Sequence, residues 1–98
     1  MGTGGCVVYK RGGLRLERFV SFDGYPSGLG VRLATLLVSG NLVNLLEFLL
    51  ETTGDHDYKG TGCDCTYEVD MDASTVTVYE NGVARTLSHQ EFLTWCTP

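Results

Sequence analysis

Phe22-Asp23-Gly24-Tyr25-Pro26-Ser27-Gly28-Leu29-Gly30 divides the chain into two regimes. Before it, apolar residues alternate as in a strand; after it, they recur at helical spacing. Pro26 fixes its own φ and pushes Tyr25 out of the helical region. The glycines permit conformations, or close backbone approaches, that a side chain would block. A strand, a turn and a helix therefore meet here.

Upstream, Cys6-Val7-Val8-Tyr9 reads as a strand, and Gly12-Gly13 as a hairpin turn. The partner strand places Leu14, Leu16, Val20 and Phe22 on one face, and Arg15, Glu17, Phe19 and Ser21 on the other. Arg18 falls on the apolar face, where it is expected to snorkel to an edge or meet a carboxylate such as Asp23.

Downstream, Ser27 is the expected N-cap of a helix carrying Leu29, Leu33, Leu36 and Leu37 and ending at Gly40. Asn41 caps a second helix, apolar nearly all round from Leu42 to Leu50. One helix in so small a domain seldom buries every face. The 42–50 helix is therefore expected to be mostly buried and to share part of its surface in a homodimer. Gly54 closes it, and a polar loop runs from Asp55 to Gly62.

A meander follows. Cys63, Cys65, Tyr67, Val69 and Met71 share one face, against Asp64, Thr66, Glu68 and Asp70. Asn81-Gly82 predicts a two-residue type I′ turn that pairs Val78 with Arg85, Thr77 with Thr86 and Val76 with Leu87. Ser88-His89-Gln90-Glu91 predicts a capping box opening a short helix with Phe92, Leu93, Trp95 and Cys96. The expected fold is α+β, one domain over residues 1–98, in the order ββααβββα. An antiparallel sheet packs against two central helices.

The net charge is −5, and it is unevenly spread. Five of the seven basic residues lie before residue 33, and six carboxylates (Asp55, Asp57, Asp64, Glu68, Asp70, Asp72) fall within one later stretch. Such a field repels nucleic acid and attracts basic protein surfaces. No apolar run approaches the ~18 residues of a membrane span, so no membrane partner is expected. Without a secretory signal at the start, the reading is a soluble, cytoplasmic protein.

In that setting the four cysteines read as reduced thiols. Cys63, Cys65, His56 and Cys96 could supply zinc ligands, but the spacing departs from structural zinc sites, so no metal and no cofactor are expected. No phosphate-loop motif occurs, and no Ser or Cys has the context of a nucleophile. Asp23 is the best single polar candidate, with Tyr25, Gly28 and Gly30 around it.

The motifs also resemble a family of small phage and prophage proteins, with some eukaryotic members, most of unknown function. The shared residues are Met1-Gly2-Thr3, Gly5, Phe22-Asp23-Gly24-Tyr25-Pro26 and Leu29-Gly30, covering the first third of the chain. Gly4 stands where the family usually has Arg, and Ser21 where it often has His. A site using those two residues would be missing from this chain. The resemblance implies a non-enzymatic phage or mobile-element binding protein, acting in the host cytoplasm. It would block a host nucleic-acid-handling complex, as anti-CRISPR proteins do, by presenting its acidic stretch to a basic groove. The competing reading is a small enzyme or ligand-binding domain with a pocket at Asp23, Tyr25, Gly28 and Gly30.

Overall fold

The computed structural model describes residues 4–20, 24–52, 54–55 and 65–97. The strands are β1 (Gly5–Arg11), β2 (Leu14–Val20), β3 (Gly54–Asp55), β4 (Cys65–Asp70), β5 (Thr75–Glu80) and β6 (Val83–Ser88). The helices are α1 (Val31–Ser39), α2 (Leu42–Thr52) and α3 (His89–Cys96). The expected order holds, with the two-residue β3 as an addition. In space the sheet runs β3-β2-β1-β4-β5-β6.

Every pair is antiparallel except the central one. β1 and β4 run parallel, with Val7 opposite Tyr67 and Tyr9 opposite Val69. A parallel pair cannot be closed by a hairpin and needs a long crossover. Here β2, α1, α2 and β3 fill that crossover. The expected antiparallel sheet is thus mostly antiparallel, with this one parallel seam, since strand direction across a long crossover leaves no local trace.

Alternation decides the faces. Val7, Tyr9, Tyr67, Val69, Val76 and Val78 point to one side and are almost wholly buried against Leu33, Leu45, Leu49 and Phe92. The three helices cover that side. The opposite face carries Arg15, Glu17, Lys10, Thr66, Glu68, Asp70, Thr77 and Thr86, and no described helix covers it.

The local signals act as expected at most joints. Gly40 ends α1 in the left-handed region at φ 73°. Asn41 Oδ1 accepts the Asn44 N–H at 3.1 Å and starts α2. Asn81 and Gly82 both have positive φ, 53° and 78°, as a type I′ turn requires. The pairs Val78–Arg85, Thr77–Thr86 and Val76–Leu87 form as predicted.

Ser27 is not a cap. The chain enters α1 through a π-helical turn over Pro26–Gly30, with Tyr25 as its N-cap and no side-chain capping bond. The Tyr25 carbonyl accepts from Gly28 N–H at 3.0 Å and Gly30 N–H at 3.4 Å. Pro26 opens the helical turn with no N–H, so this end has one orphan donor fewer to satisfy.

Arg18 stays on the apolar face of β2 and reaches the end of α2. Its Nε donates to the Leu49 carbonyl at 3.1 Å, and an Nη to the Leu50 carbonyl at 3.5 Å. Helix C-termini leave carbonyls unpaired and carry partial negative charge, so a guanidinium there is favourable. Asp23, the carboxylate expected near it, lies outside the described residues.

Candidate functional site

The site is built on β4. Its period-two pattern buries Cys65, Tyr67 and Val69 and turns Thr66, Glu68 and Asp70 to the helix-free face. Glu68 lies between Val8 of β1 and Thr77 of β5; Asp70 lies between Lys10 and Thr75.

The carboxylates are held in place by short contacts. Asp70 Oδ1 accepts the N–H groups of Asp72 and Ala73, both at 3.1 Å, and so shapes the turn into β5. Asp72 Oδ2 accepts the Gly12 N–H at 2.8 Å, tying that turn to the β1–β2 hairpin. Glu68 Oε1 stands 3.8 Å from Lys10 Nζ. Among the described residues, Asp70 Oδ2 and Asp72 Oδ1 accept no hydrogen bond and remain for other partners.

The acidic surface is also less uniform than its sequence. Lys10 and Arg15 stand on the same face, and Arg15 pairs with Glu17 at 2.8 Å. A shallow depression of about 460 Å³ lies between the two turns, lined by Lys10, Leu14, Arg15, Asp70 and Asp72. These cations come from the first hairpin, some 60 residues away in sequence, and only the β1–β4 pairing brings them in. Asp55 lies in β3, opposite Arg18. At about 4.8 Å per strand, β3 is about 14 Å from β4. Of the four acidic residues of that stretch that the structure describes, Asp55 is thus set apart in space from Glu68, Asp70 and Asp72. Asp57 and Asp64 lie outside the described residues.

The second candidate, around Tyr25, is in its described part a packing joint. Gly24 sits against the chain start so closely that a Cβ on it would lie 2.5 Å from Gly5 N and 2.6 Å from the Gly4 carbonyl carbon. Its own carbonyl accepts the buried Tyr67 hydroxyl at 2.7 Å. A Cβ on Gly30 would lie 2.7 Å from Cys96 Sγ. Tyr25 is exposed and Gly28 half-buried. Tyr67 and Cys96 were not legible as partners of this stretch, since nothing in their local sequence distinguishes them from other core residues.

Titration follows burial. Burial pushes the Tyr67 phenol far up, with the neighbouring Cys65 adding to the effect. It pushes the Cys96 thiol up to about 12. Among the described residues the buried His89 Nε2 has no hydrogen-bond partner, and burial lowers the pKa of the ring.

The reading of four reduced thiols is corrected. Cys6 is disulfide-bonded, its partner lying outside the described residues, while Cys65 and Cys96 are buried thiols that take part in no disulfide. The reduced reading rested on the character of the chain start, and that says nothing of which sulfurs the fold brings together. Among the described residues no three His, Cys, Asp or Glu side chains converge as metal ligands. His56 and Cys63 lie outside them.

A third surface lies on the helices. Val43 and Leu50 of α2 are 67% and 58% exposed, whereas Leu45 and Leu49 are buried. A groove of about 400 Å³ runs between α1 and α2, lined by Val31, Arg32, Thr35, Leu36, Asn44 and Phe48. Arg32 stacks over the Phe48 ring at 4.7 Å. Among the described residues no helix is long and apolar enough to cross a membrane.

No family model matches this chain, and no curated protein or solved structure does.

Proposed function

We propose that the protein is a non-enzymatic binding protein whose acidic strand and turn dock on a basic protein surface. The observation that carries this reading is the fixing of Asp70 and Asp72 by backbone N–H groups. Each carboxylate is held by one oxygen and offers the other. A group already immobilised gives up little rotamer entropy on binding, which is where preorganised interfaces gain affinity. The surface is open and lies on a rigid sheet, as docking of a macromolecule requires. Charge steers the encounter and rejects nucleic acid.

A basic groove that normally holds nucleic acid has the complementary chemistry. The resemblance to phage proteins makes a host nucleic-acid-handling complex in the cytoplasm, of the kind anti-CRISPR proteins block, the partner proposed here. The contribution of Asp55, Asp57 and Asp64 belongs to the same proposal.

The test compares the parent with a quadruple variant, Asp57→Asn, Asp64→Asn, Glu68→Gln and Asp70→Asn, for capture of a host protein from lysate. Asn at position 70 keeps an acceptor for the turn, so the melting temperature should stay close to the parent's. The captured protein should elute with salt, because exposed charges are screened over about 8 Å at physiological ionic strength. It should also be lost with the variant. Equal retention by both chains, at low and high salt alike, would sink the reading.

A further inference from the structure

The two edges of the sheet differ. β3 presents only Gly54–Asp55, a length that blunts an edge. β6 presents Val83–Ser88, paired with β5 in unbroken register, without a proline or a bulge. Among the described residues nothing pairs with its outer side. Its one charge does not guard it: the Arg85 guanidinium turns to the helix side, 5.0 Å from the centre of the Trp95 ring. Natural sheets protect long edges with charge, proline, bulges or a covering element, and β6 has none of these among the described residues.

The turn decides which groups face outward. A two-residue hairpin closes on a hydrogen-bonded pair, here Glu80 and Val83. Hydrogen bonding then alternates, so Arg85 and Leu87 bond to β5, while Ala84, Thr86 and Ser88 direct N–H and C=O outward. Thr77 and Thr86 form a non-hydrogen-bonded pair in this scheme, the closer kind, and their hydroxyls meet at 3.1 Å. The Ser88 N–H is already taken by Glu91 Oε1 at 2.9 Å.

We propose that β6 pairs antiparallel with β6 of a second copy of this chain, about a two-fold axis at Thr86, to form one continuous sheet. A two-fold axis normal to the sheet keeps the helices of both copies on one side, so only like-facing residues can oppose each other. Two registers near the strand centre satisfy this. One sets Arg85 against Arg85 of the second copy, and like charges directly opposite are destabilising. The other sets Thr86 against Thr86, Arg85 against Leu87 and Ala84 against Ser88.

In that register the two Thr86 residues exchange a pair of N–H···O=C bonds. Each Ala84 N–H then donates to the Ser88 carbonyl of the other copy. The Ser88 N–H, already committed to Glu91, makes no bond across the axis. The Thr77–Thr86 hydroxyls of both copies line up on the open face. The edge is complementary to itself, and closed two-fold dimers are the commonest assemblies. This inference is independent of the acidic docking surface.

Sedimentation equilibrium over a wide concentration range tests it. The parent should show a monomer–dimer equilibrium. Thr86→Pro removes the outward N–H and the hydroxyl contact with Thr77 but no ladder bond to β5, and Thr86→Lys places two like charges at the axis. Each should raise the dissociation constant by at least about tenfold, while the circular dichroism of the monomer stays unchanged. A chain monomeric at every concentration overturns the proposal. So does a dimer that survives both substitutions but dissociates on Val43→Glu with Leu50→Glu, which would place the contact on α2.

Discussion

Gly30 and Cys96 show how much a single position decides here. Gly30 has helical backbone, φ −59° and ψ −47°, between the π-helical turn and α1, and within a helix alanine would ordinarily gain about 0.5–1 kcal/mol. The structure reverses that sign, because a Cβ would lie 2.7 Å from Cys96 Sγ in a filled core. Overpacking of this kind costs about 1–3 kcal/mol, more than the propensity returns. Gly30→Ala is therefore expected to lower the denaturant midpoint, and Gly30→Ala with Cys96→Ala to recover most of the loss. A double-mutant cycle with no coupling would refute the contact. Turn glycines and caps were legible from sequence, since Gly40, Asn41 and Asn81-Gly82 act on residues within four positions. Ser27 was misread because the helical backbone already begins at Pro26, with Tyr25 as its N-cap, which puts Ser27 inside the turn. The Gly30–Cys96 and Gly24–Tyr67 contacts join residues far apart, and no local pattern encodes them.

At the scale of elements, α3 is the case where local sequence and tertiary packing agree. Ser88 Oγ accepts the Glu91 N–H at 3.1 Å, and Glu91 Oε1 accepts the Ser88 N–H at 2.9 Å. The helix then buries Phe92 and Cys96 under β4 and α1. Ser88→Ala should cost about 0.5–2 kcal/mol, measurable by urea unfolding. His89, next in line, adds a pH dependence. Burial lowers its folded pKa below the ordinary 6.5. As pH falls below 6.5 the unfolded chain takes up a proton that the folded chain refuses, so acid destabilises. His89→Gln should flatten that acid slope while Ser88→Ala leaves it in place; identical slopes in parent and His89→Gln would refute the assignment. The strands and helices were legible because each is amphipathic with its own period. β3 was not, since two residues carry no period. Arg18 looked misplaced only because the α2 carbonyls that receive it come 31 residues later.

For the whole molecule, the open face was legible in part. Alternation put Glu68 and Asp70 on one side, but the parallel β1–β4 seam adds Lys10 and Arg15 to it. Everything beyond local pairing depends on that seam. β1 is hydrogen-bonded on both sides, to β2 of its own hairpin and to β4 of the meander, and the Asp72–Gly12 bond adds a second tie between the two. Cys6 lies in β1 and is disulfide-bonded, which makes the redox state of the chain a property of the whole fold. Reduction should lower stability by about 2–4 kcal/mol, the usual worth of a bridge, and the melting temperature with and without dithiothreitol reads it. Alkylation supplies the independent count. The unfolded, unreduced chain should expose two thiols and the reduced chain all four. The native chain at neutral pH should react slowly, since Cys65 and Cys96 are both 3% exposed and thiolate is the reactive form. Alkali acts on the same thiols: unfolded Cys96 ionises near its ordinary 9.0, whereas the folded thiol stays neutral up to about 12. The unfolded state therefore holds fewer protons across that window, and stability falls as pH rises through it. Four reactive thiols in the unreduced, unfolded chain, or a melting temperature indifferent to reductant, would remove the disulfide from the account of this fold.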